Sequence, residues 1–253
     1  MGEGVSAIYS GAHELNELGQ PIGQAIPEWS TASFPPHITM EGRFCRLDPL
    51  DEEAHTGDLF DAFVLDREGR NWTYLPHGPF PERPAFERFM AAICRQDDMQ
   101  FYAIVDRRTD KAVGIASYLR INPKAGSIEV GHLVFSPLLQ KRPAATEAMY
   151  LMMRRAFVEL GYRRYEWKCD VLNEASRNAA MRLGFRFEGV FRQALVYRGR
   201  DRDTAWFSIL DREWFSLEPA YEEWLAGAEA SPEGLQKEPL NTIIKRHVAA
   251  LPS

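Results

Sequence analysis

The chain has 253 residues, of which 45% are hydrophobic and 26% are charged, and its formal net charge at pH 7 is −6. This composition predicts a globular protein, and the balance of 30 basic and 36 acidic residues argues against nucleic acid as a partner. We expect no membrane partner, because apolar runs stay short of about 18 residues, and no signal peptide. The three cysteines are widely spaced and the histidines are scattered, so we expect a cytoplasmic protein without a metal site.

Glycine and proline divide the chain into three predicted regions. Residues 1–40 are rich in both and lack a regular hydrophobic period, which predicts an extended or partly disordered N-terminal extension. Residues 41–215 carry the periodic patterns of a folded domain. Residues 216–253 are predicted to form a C-terminal helix and a charged tail, with a second short amphipathic helix near Leu240 to Val248.

Hydrophobic spacing and turn residues predict a succession of strands and helices in the central region. In chain order these are strand 42–49, helix 51–65, helix 84–94, strands 100–105, 112–121 and 126–135, helix 143–160, strand 165–171, helix 175–183, strands 185–196 and 204–210, and helix 214–225. Short turns join strands 100–135, which predicts an antiparallel meander. Helical crossovers follow, so the predicted fold class is α+β, with a mixed central sheet flanked by helices.

A strand that passes through a short basic loop into the long helix is a candidate anion site. Val134 and Phe135 end the strand, Lys141 and Arg142 are basic, and Pro143 opens the helix. Free amides and the positive end of the helix dipole attract phosphate at such a position. The alternative interpretation is an ordinary helix start, because proline is common at the first helical position.

Three motifs give the sequence a family resemblance. Residues 140–148 read Gln-Lys-Arg-Pro-Ala-Ala-Thr-Glu-Ala, Asn173 and Ser176 form Asn-x-x-Ser before a helix, and residues 184–189 read Gly-Phe-Arg-Phe-Glu-Gly. In this order and spacing the motifs resemble GNAT N-acetyltransferases, specifically the ribosomal-protein N-terminal acetyltransferase-like branch. The resemblance covers roughly residues 42 to 215. It implies the GNAT fold for residues 41–215.

The resemblance implies an acetyl-CoA-dependent N-acetyltransferase that acts on a primary amine, by direct attack in a ternary complex. It places the pyrophosphate on loop 140–145 and the pantetheine arm along the strand. The implied cofactor-binding residues are Leu133, Val134, Phe135, Gln140, Lys141, Arg142, Ala144, Ala145, Asn173 and Arg177. Pro143 replaces the usual loop glycine and removes one amide donor, which leaves the amides of Lys141, Arg142, Ala144 and Ala145.

Catalysis by this family needs a base for the amine and a proton donor for the leaving thiolate. Glu129 is the candidate base because it lies on the strand that leads to the acetyl position. His132 is the alternative base, but the two side chains share a face only if a bulge intervenes. Ser176 is the candidate acid, or it serves with Asn173 only to cap the helix. Lys168 and Asp170 are predicted to lie on the other side of the sheet.

The acceptor and the partners are less constrained. Trp72, Tyr74 and His77 lie in an aromatic loop where the family builds its acceptor wall, or they simply cover the core. The acceptor is expected to be a small-molecule amine or a protein N-terminus, and the oligomeric state stays open. Ala180 stands where many members have a tyrosine. With Pro143, this leaves a second possibility, a non-catalytic acyl-CoA-binding module with an interaction or regulatory role.

Overall fold

The computed structural model of the chain describes residues 13–229 and 238–249. These fall into two compact units, of which the first ends at Thr31 and the second begins at Ala32. In the first unit, strands β1 (His13–Leu15) and β2 (Pro21–Gly23) pair antiparallel as a small hairpin. The remainder of the predicted extension up to residue 12, and the tail segments 230–237 and 250–253, lie outside the described residues.

The second unit is built on an eight-stranded mixed sheet of order β3-β4-β5-β6-β7-β8-β10-β9. Its strands are β3 (Met40–Glu41), β4 (Cys45–Pro49), β5 (Gln100–Asp106), β6 (Lys111–Asn122), β7 (Ser127–Phe135), β8 (Arg164–Asp170), β9 (Arg186–Tyr197) and β10 (Arg200–Leu210). Neighbouring strands are antiparallel except β7 and β8, which are parallel. A parallel pair needs a crossover, and the long helix supplies it. The α+β prediction with a mixed sheet is confirmed.

Six α-helices accompany the sheet in the described residues. They are α1 (Glu52–Phe63), α2 (Arg83–Cys94), α3 (Pro143–Arg154), α4 (Glu174–Arg182), α5 (Asp211–Glu229) and α6 (Leu240–Ala249). Asp51 caps α1 by accepting a hydrogen bond from the amide of Ala54 at 2.8 Å, as its position predicts. None of these helices has the length and apolar character needed to cross a membrane.

The long crossover helix differs from its prediction at its C-terminal end. It was predicted to run to residue 160, but α3 ends at Arg154 and widens into a π-helical turn over Arg155–Glu159. In this turn the buried Arg155 donates hydrogen bonds to the carbonyls of Ile38 and Thr39 at 2.9 and 3.0 Å. The turn therefore fastens the segment before β3 to the crossover.

Hydrophobic cores lie on both faces of the sheet. The larger core joins the sheet to α3, α5 and α6 and includes Ile128, Val130, Tyr165 and Trp167. The smaller core joins β5 and β6 to α1 and α2 and reaches Val134 on β7. On this second face, side chains of β8 and β10 contribute to neither core and instead line an open cleft. The candidate site therefore lies where these two strands are not covered by a hydrophobic core.

Candidate active site

A cleft of about 660 Å³ lies over the uncovered part of the sheet. Its floor comes from β6, β7, β8 and β10, and its walls come from the loop after the 3-10 turn Arg70–Trp72 and from the β9–β10 hairpin. Lining side chains include Tyr74, Leu75, Glu129, His132, Lys168, Asp170, Asn173, Ser176, Phe191 and Trp206. All three candidate catalytic residues therefore border one cleft.

The cleft meets an opening between the two parallel strands. β7 and β8 pair from Ser127 with Arg164 to Val130 with Trp167. Beyond these pairs no further pairing between the two strands is present in the described residues, although both strands continue. The later main-chain groups of β7 therefore face an opening into which an extended molecule could insert and form strand-like hydrogen bonds.

A β-bulge on β7 lies beside this opening. Ile115 of β6 faces Val134 and Ser117 faces Gly131, so β7 has one extra residue in this interval. His132 within it has a φ of +49°, an uncommon conformation for a residue with a side chain. A bulge reverses the alternation of side chains, and Glu129 and His132 consequently line the same cleft. The bulge that Glu129 and His132 need in order to share a face of the strand is therefore present.

Glu129 is buried, with 3% of its surface exposed, and lies between two cations. Arg120 Nη1 donates to Oε1 at 2.6 Å, and Lys168 Nζ lies 2.8 Å from Oε2 as an ion pair without the angle of a good hydrogen bond. Burial raises the pKa of Glu129, while Lys168 and Arg120 act against this shift. Burial and the two cations therefore act in opposite directions on the proton affinity of this carboxylate.

The prediction that Lys168 and Asp170 lie on the other side of the sheet is wrong. Glu129 stands opposite Glu166 in the parallel pair, and residues two apart on a strand share a face. Glu166, Lys168 and Asp170 consequently all lie on the face of Glu129. Asp170 accepts hydrogen bonds from the amide of Leu172 at 2.8 Å and the hydroxyl of Tyr197 at 3.0 Å.

His132 is a largely enclosed imidazole. Its ring packs against Phe101 with 5.3 Å between centroids. Burial, with the nearby His77 and Arg120 adding to it, lowers the pKa of His132 to about 4. The ring is therefore neutral at pH 7 and can accept a proton, but its conjugate acid is far more acidic than an alkylammonium.

Ser176 lies in the first turn of α4, at the edge of the cleft. Its Oγ accepts a hydrogen bond from Trp167 Nε1 at 3.0 Å, which leaves its hydroxyl proton available for donation. Asn173 caps the helix, because its Oδ1 accepts from the amide of Ser176 at 3.0 Å. The next residue, Arg177, has a buried Nε without a hydrogen-bond partner among the described residues. The capping role thus belongs to Asn173, and the Ser176 hydroxyl lies within hydrogen-bonding reach of the Cys169 thiol.

Two predicted cofactor contacts are already occupied within the protein. Gln140 Nε2 donates to the carbonyl of Phe135 and to Asn71 Oδ1, each at 2.9 Å, and Asn71 Nδ2 donates to the same carbonyl at 3.1 Å. A carbonyl oxygen has two lone pairs, so that of Phe135 is fully used. We therefore correct the assignment of the Gln140 side chain and the Phe135 carbonyl, because these groups shape the loop. Val134 is paired with Ile115 of β6, so the main chain of Leu133, which points the other way, is left for a ligand.

The basic loop also uses part of its own amide supply. The amide of Arg142 donates to Leu139 at 3.2 Å, and that of Ala145 donates to Arg142 at 3.1 Å. The expectation that four amides face the ligand is therefore wrong. Of the four, those of Lys141 and Ala144 have no internal acceptor in the described part of the chain. The side chains of Lys141 and Arg142 are exposed, and Lys141 turns the loop with a φ of +59°.

The residues of the aromatic loop have two different locations, the hydrophobic core and the wall of the cleft. Trp72 is 3% exposed and packs edge-on against Phe63 and Phe80, so it is a core residue and its assignment as an acceptor contact is wrong. Tyr74 instead lines the cleft, and its hydroxyl donates to the carbonyl of Leu172 at 3.1 Å.

The cleft's two walls are also joined to each other. Arg198, at the tip of the β9–β10 hairpin, donates to the carbonyls of Trp72 and Gly78. His77 packs on Phe89 at 5.3 Å and borders a small apolar void next to His132. The described residues contain no group of three or more acidic, histidine or cysteine side chains placed to hold a metal ion.

Sequence reasoning missed Asn71, Lys168 and Trp206. Lys168 is two residues after Glu166, so its face of the sheet is known once the β7–β8 register is known. No local sequence pattern indicates that register. Trp206 lies beneath Lys168, with the ammonium 3.7 Å from the ring centre. Asn71 acts through a loop that closes on β7 from 64 residues away, and no spacing rule indicates such a contact.

Comparison with known proteins places this geometry among acetyltransferases. The model of the acetyltransferase (GNAT) domain family matches residues 45–186, more than half of the chain. A GCN5-related N-acetyltransferase from Brucella melitensis is 42% identical, covers 87% of this chain and 100% of its own, and superposes with a TM-score of 0.84.

Two further proteins are more distant. An uncharacterized N-acetyltransferase of Bacillus subtilis (strain 168) is 25% identical over 56% of this chain and 81% of its own length. A Salmonella typhimurium acetyltransferase that modifies the N-terminal serine of a 50S ribosomal subunit protein is 20% identical, and covers 67% of this chain and 96% of its own with a TM-score of 0.56. The last likeness concerns the fold alone.

Proposed function

Because this chain belongs to the GNAT family of acetyltransferases, we propose that it transfers an acetyl group from acetyl-CoA to a primary amine by direct attack in a ternary complex. The observation that carries the proposal is the combination of the β7–β8 opening with the bulge at His132. The opening exposes strand edges to an extended cosubstrate, and the bulge turns Glu129 and His132 into the adjoining cleft.

The residues around the opening fit a phosphate-bearing cosubstrate. Lys141 and Arg142 are exposed cations at the start of α3, where the helix dipole also favours an anion. Arg177 adds a third cation near the cleft, beside Ser176 in the first turn of α4. Acetyl-CoA would supply an activated thioester there. The main chain of Leu133 would hold its pantetheine arm in the opening.

The cleft supplies the proton chemistry. An alkyl amine has a pKa of about 10, so it must lose a proton before it attacks. We assign Glu129 as the base, directly or through water, because burial raises its pKa toward neutrality, where a base is most effective. His132 is the alternative, and its pKa of about 4 makes it the weaker base. Ser176 is assigned to protonate the departing thiolate with its hydroxyl.

The acceptor enters on the face of the cleft that carries these groups. Tyr74 and His77 belong to the loop on one side, and the β9–β10 hairpin forms the other. We propose a small-molecule amine or a protein N-terminus as the acceptor. Thiol release from acetyl-CoA, measured across alkyl amines, polyamines, amino acids, amino sugars and N-terminal peptides, tests this.

The cosubstrate site has its own test. Calorimetry should show that Arg142→Glu binds acetyl-CoA at least about tenfold more weakly than the parent, because a like charge then faces the phosphates. The matched control is Arg212→Glu, at an exposed position at the start of α5, which should bind like the parent. Equal affinity of both variants would show that the loop is not the phosphate site.

A non-catalytic acyl-CoA-binding role is the second candidate. Its support is Ala180, which stands where many members of the family have a tyrosine, together with Pro143 in place of the usual loop glycine. Firm binding of acetyl-CoA without amine-dependent thiol release across the whole panel would favour this role over catalysis.

A further inference from the structure

Lys168 lies at the centre of a charge network on the floor of the cleft. Its Nζ is 2.8 Å from Glu129 Oε2 and 2.8 Å from Glu166 Oε2. The same ammonium lies 3.7 Å from the ring centre of Trp206. We propose that Lys168 is a positioning residue, which holds the Glu129 carboxylate charged and in place for the acceptor amine.

The burial of Glu129 is the reason that a cation is needed. A carboxylate removed from water loses its solvation, and this loss is recovered only if a charge partner and hydrogen bonds replace the water. Arg120 also contacts Glu129, but its side chain is 56% exposed, so water and salt weaken its attraction. The side chain of Lys168 is 9% exposed. The attraction of Lys168 to Glu129 is therefore less weakened by water and salt than that of Arg120.

The other groups around Glu129 do not replace this cation. His132 shares the strand and is neutral at pH 7, because its pKa is about 4. Glu166 faces Glu129 from β8 and carries the same charge. Arg164 Nε lies 2.6 Å from Glu166 Oε1, but the charge of Arg164 is shared with Glu188. The two carboxylates thus share the single charge of Lys168.

Trp206 fixes where that charge is. The indole lies beneath the ammonium, and a cation over an aromatic face is attracted by the ring's quadrupole. Phe191 of the neighbouring strand stacks on Trp206 with 4.2 Å between centroids. The ring of Trp206 and the two carboxylates therefore keep the ammonium of Lys168 in contact with Glu129.

This arrangement makes two substitutions act in opposite directions. Lys168→Met removes the cation and should raise the pKa of Glu129. Glu166→Gln removes the competing carboxylate and should lower it. A charge within about 4–6 Å changes the proton affinity of a carboxyl by about 10- to 1000-fold. A Lys168 that served only in packing would not produce shifts of opposite sign.

The test is a carboxyl-carbon NMR titration of the full chain with labelled glutamate, in which Glu129→Gln identifies the Glu129 signal by its loss. The expected result is a higher midpoint for Glu129 in Lys168→Met, a lower one in Glu166→Gln, and a midpoint near the parent in Lys168→Arg. If Lys168→Met does not fold, the Lys168→Met/Glu166→Gln double variant is compared with Glu166→Gln, and its midpoint should be higher. Midpoints that stay together across these variants would overturn the proposal.

The kinetic part of the inference rests on the proposed function, and the titration does not. In an active enzyme, the acid limb of the kcat profile should move with the titration midpoint of Glu129, whereas KM for acetyl-CoA should stay constant. Midpoints that shift while the kcat profile stays fixed would uphold the role of Lys168 and remove Glu129 as the base. An unshifted midpoint with normal kcat would overturn the role of Lys168 and leave the proposed function intact.

Discussion

Glu147 gives the sharpest test of how the fold supports the basic loop. Its carboxylate is 2% exposed and lies on α3, one turn after the loop. Oε1 accepts the amide of Arg43 at 2.8 Å, and Oε2 accepts the amides of Phe44 and Cys45 at 2.6 and 2.9 Å. These donors are more than 100 residues away in the sequence. One side chain thus ties the start of β4 to the crossover helix.

Glu147→Gln keeps the size of the side chain and removes the charge and one acceptor. If the remaining oxygen takes the place of Oε2, the new amide group of the glutamine faces the N–H of Arg43, and that hydrogen bond is lost. A hydrogen bond to a charged group contributes about 1.5–3 kcal/mol. Because the two retained bonds also weaken, we expect the free energy of unfolding to fall by about 2–4 kcal/mol.

Urea unfolding followed by tryptophan fluorescence measures this loss. The matched control is Glu87→Gln, which removes a carboxylate from an exposed ion pair with Arg83 in α2 and should cost less than about 1 kcal/mol. The m-value should stay at that of the parent, since both changes leave the buried area unaltered. A Glu147→Gln variant within about 0.5 kcal/mol of the control would refute this account of the three amide contacts.

Three further substitutions test the site. Glu129→Gln should lower kcat by about 10²–10⁴-fold at neutral pH, and the loss should shrink as pH rises and more amine is free; parent-like rates across the pH profile would exclude Glu129 as the base. Ser176→Ala should cost less, because a thiolate with a parent pKa of about 8.5 leaves without much assistance; a larger kcat loss than that of Glu129→Gln would contradict the assigned roles. Pro143→Gly should fold, cost at most about 0.5–1 kcal/mol in stability and tighten acetyl-CoA binding by restoring a donor; a weaker affinity in calorimetry would show that proline preorganises the loop.

Local patterns in the sequence were sufficient for most of the secondary structure. The antiparallel meander β5–β7 joins neighbouring strands through short turns, so its pairing follows from sequence order. The caps at Asp51 and Asn173 act on amides three residues away, and such short-range geometry is visible in a sequence. These elements were predicted correctly within a few residues.

Several of the errors concern contacts between distant segments. The side of the sheet occupied by Lys168 depends on the parallel β7–β8 register, which is set by a crossover of nearly thirty residues. The burial of Trp72 depends on α1 and α2 closing over it. Gln140 was assigned to a ligand because its partners, Asn71 and the carbonyl of Phe135, meet only in the folded chain. Local residue patterns do not encode which of several polar groups a side chain will reach.

The bulge on β7 also fixes the length of that strand. Val130 packs into the core beneath α3, and Val134 packs into the core beneath α1 and α2, so the pleat changes phase at His132. Deleting Leu133 would restore an unbroken alternation in which Val134 follows Val130 by three residues and keeps its layer, but His132 would then point to the face opposite Glu129. The extra residue is therefore required by the cleft and not by the two cores.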